Sequence, residues 1–233
     1  MVIDNPSSVT PRKCLIVIGG NPPSRLAVDR CDRIDMIICA DSGLDHAMEL
    51  GLSPTMIIGD FDSATSGNVD VTVANGAEIV RLPIDKDMTD TEAALTLAVE
   101  RGASDIIVAW GGGDRFDHVL GVVAALAAPV LASLNTLELI VEHDVVTILH
   151  GPRTLRFDPT PGTTVSLIPV AGSALGVSST GLRWNLTDET LNAHAARGVS
   201  NIAIGAVELS LIGGVLAVIV PANVERSTEV VQP

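Results

Sequence analysis

The chain has 233 residues, of which 28 are acidic and 14 basic, so its formal net charge is −14. A hydrophobic fraction of 47% excludes an intrinsically disordered chain, and the length allows one large or two modest domains. The acidic excess argues against nucleic acid or an anionic membrane as a partner, because both are bound by clustered Lys and Arg. Three cysteines without metal-type spacing indicate reduced thiols, and the N-terminal residues contain no apolar signal-peptide core. We therefore expect a cytoplasmic protein.

The first two thirds of the chain alternates short apolar runs with amphipathic stretches. Five runs rich in Ile and Val predict buried strands: Cys14–Ile18, Met36–Ala40, Thr55–Ile58, Glu78–Leu82 and Ile106–Trp110. The clearest helix begins at the capping-box sequence Thr89-Asp90-Thr91-Glu92 and ends at Gly102, and another runs from Phe116 to Ala128. This alternation predicts an α/β domain over residues 1–145, with a mostly parallel sheet covered by helices on both faces.

A smaller all-β, sandwich-like domain is predicted for residues 146–222. Its strands are expected at Val165–Val170, Leu175–Ser179, Ala206–Leu211 and Val215–Val220, separated by Gly and Pro turns. Gly213-Gly214 indicates a hairpin between the last two strands, and Thr187–Ala196 is the one segment with a helical pattern. Residues 223–233 are expected to form a flexible tail.

Four aspartates stand where predicted strands end or where a helix begins: Asp41, Asp60, Asp62 and Asp90. Ligands of parallel sheets bind beyond the carboxyl ends of the strands, so these carboxylates are expected to share a crevice. Carboxylates gathered in one place repel each other unless a cation joins them, and a site of oxygen ligands alone favours Mg²⁺. An acidic turn that merely caps a strand is the alternative interpretation.

Two further segments indicate phosphate chemistry. Lys86 is a lone cation in the acidic segment Asp85–Asp90, as expected of a side chain that contacts a phosphate or orients a carboxylate. The loop Gly111–Gly113 joins a buried strand to a helix and can present backbone N–H groups to a nucleotide, with Arg115 adding positive charge. His118 could act as a base or ligand there, or could simply pack or cap. These residues predict phosphoryl transfer but do not identify the acceptor.

Six short motifs, in order along the chain, resemble the thiamine pyrophosphokinase family. They are Ala40-Asp41-Ser42-Gly43, Ile58-Gly59-Asp60-Phe61-Asp62-Ser63, Asp85-Lys86-Asp87-Met88-Thr89-Asp90, Arg115-Phe116-Asp117-His118, Gly181-Leu182-Arg183-Trp184-Asn185-Leu186 and Val199-Ser200-Asn201. The resemblance covers residues 14–221. It implies a Mg²⁺-dependent transfer of the pyrophosphoryl group of ATP to the hydroxyl of thiamine, giving thiamine diphosphate and AMP. It also implies a homodimer, in which an α/β domain faces the β domain of the partner.

The resemblance also implies residue roles. Asp60, Asp62 and Asp90 would hold Mg²⁺, and Asp41 would lie beside them; Asp90 or Asp41 could serve as general base. The ATP-binding residues would be Gly112, Gly113, Arg115, Asp117 and His118. The thiamine-binding residues would be Lys86, Thr89, Trp184, Ser200 and Asn201.

Three positions depart from the family pattern. Asp114 replaces the small residue usual before Arg115, Val122 stands where an Asn is usual, and Ile202 follows Ser200-Asn201 in place of a polar residue. These departures affect the nucleotide and acceptor contacts and leave the four aspartates intact. Two alternatives therefore stay open: a pyrophosphokinase for another acceptor, such as a hydroxymethylpterin, and a non-catalytic module that binds nucleotide or thiamine. A phosphohydrolase is disfavoured, because the residue after Ser63 is Ala64 instead of the Thr or Val that such an Asp-x-Asp motif would require.

Overall fold

Strands and helices alternate through the first part of the chain, as the apolar periodicity predicts. The computed structural model describes residues 12–113, 115–222 and 229–231. The elements of this part are β1 (Lys13–Val17), α1 (Leu26–Asp29), β2 (Met36–Ala40), α2 (Gly43–Glu49), β3 (Met56–Gly59), α3 (Ser66–Ala74), β4 (Glu78–Arg81), α4 (Asp90–Glu100), β5 (Asp105–Trp110), α5 (Phe116–Ala125) and, after a 3₁₀ turn at Pro129–Ser133, β6 (Thr136–Val141). The five predicted strands and the two predicted helices are confirmed, although α5 ends three residues early.

The parallel part of the sheet has the order β4-β3-β2-β1-β5-β6. The chain moves outward from β1 to β4, then crosses to the other side of β1 to form β5 and β6. Connections after β1 and β5 therefore leave in opposite directions. Such a reversal opens a crevice beyond the carboxyl ends of the two strands, where open α/β sheets bind ligands.

Helices cover both faces of this sheet, as predicted. Leu15 and Val17 of β1 belong to a core cluster that includes Leu44 of α2, whereas Ile16 points to the other face and belongs to a cluster that includes Ala94 of α4. All five side chains are fully buried. Burial of each larger one contributes roughly 1.5–3 kcal/mol, so the alternation along β1 anchors both layers.

The second part of the chain is built almost entirely of strands. They are β7 (Asp144–His150), β8 (Arg153–Phe157), β9 (Thr164–Leu182), β10 (Glu189–Leu191), β11 (Asn201–Leu211), β12 (Gly213–Pro221) and β13 (Glu229–Val231). β7 runs antiparallel to β6 and to β12, and β12 runs antiparallel to β9. The predicted domain boundary, between residues 145 and 146, falls inside β7. The sheet therefore passes from its parallel to its strand-rich part without a break.

Two expectations for the strand-rich part are wrong, one about the length of β9 and one about the segment that contains β10. The predicted strands Val165–Val170 and Leu175–Ser179 are both parts of β9, whose chain bends at Ala171 and Gly172 with φ angles of 54° and 141°. The predicted helix at Thr187–Ala196 instead contains β10, which pairs with β9. Pairing with a neighbouring strand outweighs the local helical pattern.

The predicted hairpin at Gly213-Gly214 is also wrong. β11 and β12 are consecutive, yet they pair with opposite edges of β9. The start of β12 lies so close to β9 that a Cβ on Gly214 would lie 2.4 Å from the carbonyl oxygen of Ser173, and Gly214 has a φ of 83°. Gly214 here permits the close approach of two paired strands instead of forming a hairpin turn.

Part of the predicted flexible tail belongs to the sheet. Residues 229–231 form β13, which pairs antiparallel with β8 through Val230 and Leu155. The rest of that tail, residues 223–228 and 232–233, lies outside the described residues. Within the described ranges, no helix has the length and apolar character needed to cross a membrane.

Candidate active site

A cleft of about 590 Å³ opens beyond the carboxyl ends of β1, β2 and β5, at the point where the connections reverse. Its lining comes from loops after the parallel strands and from the first turns of α4 and α5. Eight of the predicted site residues line it: Asp41, Lys86, Thr89, Asp90, Gly113, Arg115, Asp117 and His118. The topology thus brings together residues from three separate segments.

Three aspartates form a compact carboxylate group, of which Asp41 lines the cleft and Asp60 and Asp62 do not. One oxygen of each of Asp41, Asp60 and Asp62 lies within 4.8 Å of the others. Oδ1 of Asp60 accepts a hydrogen bond from the backbone N–H of Asp62 at 3.2 Å, and Oδ1 of Asp62 accepts one from the Ser63 hydroxyl at 2.8 Å. Oδ1 of Asp41 is buried and has no hydrogen-bond partner. A buried carboxylate oxygen without a donor, beside two more carboxylates, fits a hard divalent cation.

Lys86 and Asp90 lie next to this group. Nζ of Lys86 is 3.4 Å from Oδ2 of Asp60 and 3.3 Å from Oδ1 of Asp90. Asp90 was predicted as the third metal ligand, which stays a prediction; in the structure Asp41 groups with the Asp60–Asp62 pair, and Oδ1 of Asp90 lies against the Lys86 ammonium. The reason is that Asp90 is the first residue of α4, one turn from Lys86 along the chain.

The ionisation of these groups follows from their packing. Burial, with smaller contributions from the charges of Asp90 and Asp60, raises the pKa of Asp41 above its usual range. The hydrogen bond from the Asp62 N–H, helped by Lys86, lowers the pKa of Asp60. Burial works against the charge of Lys86, yet Asp90 and Asp60 raise its pKa overall. Lys86 is thus a cation at neutral pH. Asp41 is the carboxylate whose negative charge is least stabilised by its surroundings, and a bound cation would stabilise it.

The glycine-rich loop predicted to bind phosphates is packed against a second glycine turn. The backbone N–H of Asn21 donates to the carbonyl of Gly112 at 2.9 Å, and Gly20, with a φ of 109°, lies against the same carbonyl. Gly19, Gly20 and Asn21 line the cleft, but they were not among the predicted site residues. The sequence contains a pattern that could have predicted them, because Gly19-Gly20 follows a buried strand in the same way as Gly111–Gly113 does.

On the far side of that loop, Arg115 and Asp117 form an exposed ion pair with a 2.7 Å contact. This hydrogen bond from Arg115 lowers the pKa of Asp117. Val122, one of the departures from the family pattern, lines the cleft and is nearly buried, and Asp114 lies outside the described residues. Gly112 does not line the cleft, although its neighbour Gly113 does.

Thr89 has a structural role in addition to its place in the cleft wall. Its hydroxyl oxygen accepts a hydrogen bond from the N–H of Glu92 at 3.2 Å, and its own N–H donates to Oε2 of Glu92 at 2.7 Å. This is the predicted capping box, and it sets where α4 begins. Asp90 is therefore held at the first position of the helix.

Trp184, Ser200 and Asn201 lie outside the cleft, in the strand-rich part of the chain. Trp184 is 58% exposed, and its ring carries the guanidinium of Arg183 at 5.5 Å. Asn201 is only 7% exposed; it accepts from the N–H of Trp184 at 3.2 Å and donates to the carbonyl of Trp184 at 2.8 Å. Asn201 thus orients the tryptophan loop; its contact with thiamine stays a prediction.

Comparison with known proteins gives the same assignment for both parts of the chain. A family model described as the catalytic domain of thiamin pyrophosphokinase matches residues 29–137, and one described as its vitamin B1 binding domain matches residues 152–216. Thiamine pyrophosphokinase 1 of Oryza sativa subsp. japonica is 25% identical over 197 residues, covering 73% of each chain. Thiamine pyrophosphokinase of Bacillus subtilis is 24% identical over 192 residues, covering 81% of this chain and 89% of that one.

Solved structures share the fold. The crystal structure of thiamine pyrophosphokinase from Bacillus subtilis has a TM-score of 0.77 at 22% identity and covers 91% of this chain and 100% of its own. That of thiamin pyrophosphokinase from Candida albicans has a TM-score of 0.74 at 16% identity, covering 91% and 89%. The two family models together span most of the sequence, in the order in which the two halves of the sheet occur. We conclude that the chain belongs to the thiamine pyrophosphokinase family.

Proposed function

We propose that this protein transfers the pyrophosphoryl group of ATP to the hydroxyl of thiamine, with Mg²⁺ as cofactor, and that it does so in the cytoplasm. The observation that carries the proposal is the three-carboxylate group, whose Asp41 lines a cleft that is also lined by Gly113 and Arg115. The reaction itself is the one expected of a member of the thiamine pyrophosphokinase family. The three cysteines are all unpaired, which supports a reducing compartment.

The residues that would hold Mg²⁺ are Asp60 and Asp62, together with Asp90, as the family resemblance implies, or with Asp41, which has an oxygen within 4.8 Å of theirs. These carboxylates would hold the cation, which when bound would supply electrostatic stabilisation for negative charge on the phosphates. The loop ending at Gly113 would receive the phosphates on its backbone N–H groups. Arg115 would add positive charge beside them, and the start of α5, where His118 also lies, would add its helix dipole. Most of the rate enhancement would come from this positioning and electrostatic stabilisation.

Trp184 is proposed as the thiamine contact, because thiamine is a cation and an exposed indole face attracts cations. Within one chain, Trp184 does not line the cleft that holds the carboxylates. A complete site then needs the tryptophan of a second copy. This supports a homodimer in which each cleft is completed by the partner's strand-rich part, with Asn201 fixing the loop that presents the indole.

The first test measures AMP release from ATP and Mg²⁺, with and without thiamine, together with mass detection of thiamine diphosphate. Thiamine-dependent AMP in step with thiamine diphosphate is the expected result. Release of ADP or phosphate would indicate a kinase or hydrolase. AMP formed only with a hydroxymethylpterin would show that this compound, and not thiamine, is the acceptor. Thiamine binding without turnover would support a non-catalytic module.

The second test changes one carboxylate of the group. Asp62→Asn is expected to lower AMP formation by about 100-fold or more, because metal stabilisation of phosphoryl charge is worth several kcal/mol. Asp87→Asn is the matched control, since Asp87 is exposed as Asp62 is but lies outside the three-carboxylate group. It should leave the rate close to that of the wild type. Equal rates for both variants would remove Asp62 from the site.

A further inference from the structure

Trp110 has a place in the cleft wall that the proposed function does not use. It is the last residue of β5, it packs in the core with only 5% of its surface exposed, and it lines the cleft. The other tryptophan of the chain, Trp184, is exposed on the strand-rich part. A ring that is so deeply buried and still reaches the cleft can offer a ligand an edge but no open face.

The edge of Trp110 that meets the glycine turns is the one that carries its N–H. A Cβ on Gly20 would lie 2.6 Å from Nε1 of Trp110 and 3.4 Å from its Cδ1, whereas a Cβ on Gly113 would lie 3.6 Å from its Cζ2. These three ring atoms lie along one side of an indole, with the nitrogen between the two carbons. Gly20 and Gly113 both line the cleft, the first in the turn after β1 and the second in the loop after β5. The N–H edge therefore faces the place where the two turns meet.

The indole N–H lacks an acceptor within the described part of the chain. Among the described residues none accepts a hydrogen bond from Nε1 of Trp110, and the neighbouring carbonyl of Gly112 accepts the backbone N–H of Asn21 instead. Nε1 is not sealed from solvent, unlike the unpartnered Oδ1 atom of Asp41. The N–H of a buried tryptophan usually finds a hydrogen-bond partner, because an unpaired donor costs free energy. A donor that is reachable and unpaired at a cleft wall is therefore available to a ligand.

We propose that the indole N–H of Trp110 donates a hydrogen bond to a phosphate oxygen of the bound nucleotide. This inference rests on the proposed function, in which the loop ending at Gly113 receives the phosphates. A phosphate oxygen is a charged acceptor, and hydrogen bonds to charged acceptors are stronger than those between neutral groups. The core holds the ring of Trp110 in place, whereas the side chain of Arg115 is 64% exposed. Trp110 thus supplies a fixed, uncharged donor, and Arg115 supplies charge.

The direct test follows the indole N–H by NMR of the full chain with ¹⁵N-labelled tryptophan. Trp184→Phe identifies the cross-peak of Trp110, because it leaves that residue as the single tryptophan of the chain. The probe is α,β-methylene-ATP with Mg²⁺, in which a methylene group prevents cleavage between the α- and β-phosphorus. At saturation it is expected to move the Trp110 proton downfield and to slow its exchange with solvent. Inorganic tripolyphosphate should have the same effect, and adenosine should have none.

Trp110→Phe tests the same hydrogen bond by affinity, since it keeps an aromatic ring in the core and removes the donor. It is expected to weaken the binding of α,β-methylene-ATP and of tripolyphosphate by about 10-fold, because a hydrogen bond to a charged acceptor is lost. The affinity for adenosine is expected to be unchanged, which makes adenosine the matched control. Calorimetry measures each affinity, and circular dichroism confirms that the variant is folded.

The inference and the nucleotide site fail in different ways. If tripolyphosphate binds and the Trp110 proton does not move, or if Trp110→Phe binds it as tightly as the wild type does, the hydrogen bond is wrong and the nucleotide site stands. An equal loss of affinity for adenosine would reduce Trp110 to a structural role. A shift caused by adenosine alone would place the nucleoside at the ring and overturn the phosphate contact. If wild type binds neither phosphate compound, the nucleotide site of the proposed function is itself wrong.

Discussion

The carboxylate group is built on residues whose backbone conformations are rare for ordinary side chains. Asp41 has a φ of 47° and Phe61, between the two other aspartates, has a φ of 63°. Each such conformation costs on the order of 1–3 kcal/mol and persists only where the surroundings hold it. The guanidinium of Arg81, 5.5 Å from the ring centroid of Phe61, is one contact that does so.

Gly59 is the position where this arrangement is most sensitive to change. Its φ is 148°, and a Cβ there would lie 3.3 Å from the backbone N and Cα of Asp41. Gly59→Ala is therefore expected to destabilise the protein by about 1–3 kcal/mol and to weaken Mn²⁺ binding by displacing Asp41. Urea unfolding and Mn²⁺ titration measure the two effects.

Gly67→Ala is the control for that substitution. Gly67 lies in α3 with open space around its Cα and no positive φ. The change should raise stability by up to about 1 kcal/mol, through helix propensity, and leave Mn²⁺ affinity unaltered. If Gly59→Ala behaved like this control, close approach to Asp41 would play no part in the site.

Among the elements, α4 links the acidic segment to the core. Its apolar face, which includes Ala94 and Leu97, packs on the sheet, and its first residue is Asp90. The capping box at Thr89 and Glu92 determines the start of the helix. The cleft thus takes one wall from an element whose position depends on a local hydrogen-bond pattern.

Thr89→Ala is expected to lower the free energy of unfolding by about 1 kcal/mol, because the N–H of Glu92 loses its acceptor. Thr89→Ser keeps the hydroxyl and should restore most of that loss. Urea denaturation of the three proteins measures the difference. Equal stability of the alanine and serine variants would show that the cap does not hold α4.

His150 connects β7 to the end of α5. It is buried, and its Nε2 donates to the carbonyl of Leu126 at 3.1 Å. Burial lowers its pKa, below the ordinary value of 6.5 that the unfolded chain would show. The unfolded state therefore binds a proton more readily, so stability is retained above about pH 6.5 and falls as the pH drops below it, by at most about 1.4 kcal/mol per pH unit.

His150→Gln retains a donor for Leu126 but cannot titrate, so it should flatten the fall in stability below pH 6.5. The same change at the exposed His143 should leave the wild-type pH profile in place. Thermal unfolding across pH 5–8 compares the three. A wild-type slope in His150→Gln would assign the acid sensitivity to other groups.

At the scale of the whole molecule, the two predicted binding regions of one chain lie apart. Asp41 and Asp90 share the cleft with Gly113 of the glycine-rich loop, whereas Trp184 is exposed on the strand-rich part. A protein with isologous two-fold symmetry could bring each cleft to the partner's tryptophan. The proposed site is then a property of the dimer.

Mixing two inactive variants tests this arrangement. In a dimer of Asp62→Asn and Trp184→Ala subunits, one shared site carries both changes and the other carries neither. Random exchange should restore about a quarter of wild-type activity at limiting thiamine, since half of the dimers are mixed and half of their sites are intact. No gain over the separate variants, or a monomeric mass in sedimentation, would contradict a shared site.

Sequence patterns correctly predicted the elements that depend on interactions between residues close together in the chain. The buried strands, the capping box at Thr89 and the alternation of core faces along β1 all follow from apolar periodicity and side-chain hydrogen bonding. The strand-rich part was predicted less well. β10 formed where a helix was expected, and β9 ran through a segment that looked like a turn, because pairing with distant strands decides such cases.

The sequence by itself determined the α/β class, the residue types of the site and the family resemblance, because each of these depends on short-range pattern. Tertiary structure alone decided which carboxylates meet. It placed Asp41 with Asp60 and Asp62, and set Asp90 against Lys86. It also hydrogen-bonds the glycine turn after β1 to the one after β5, and it hydrogen-bonds the amide of Asn201 to the backbone of Trp184. These contacts depend on strand order and on backbone conformation at single residues, which spacing along a chain does not encode.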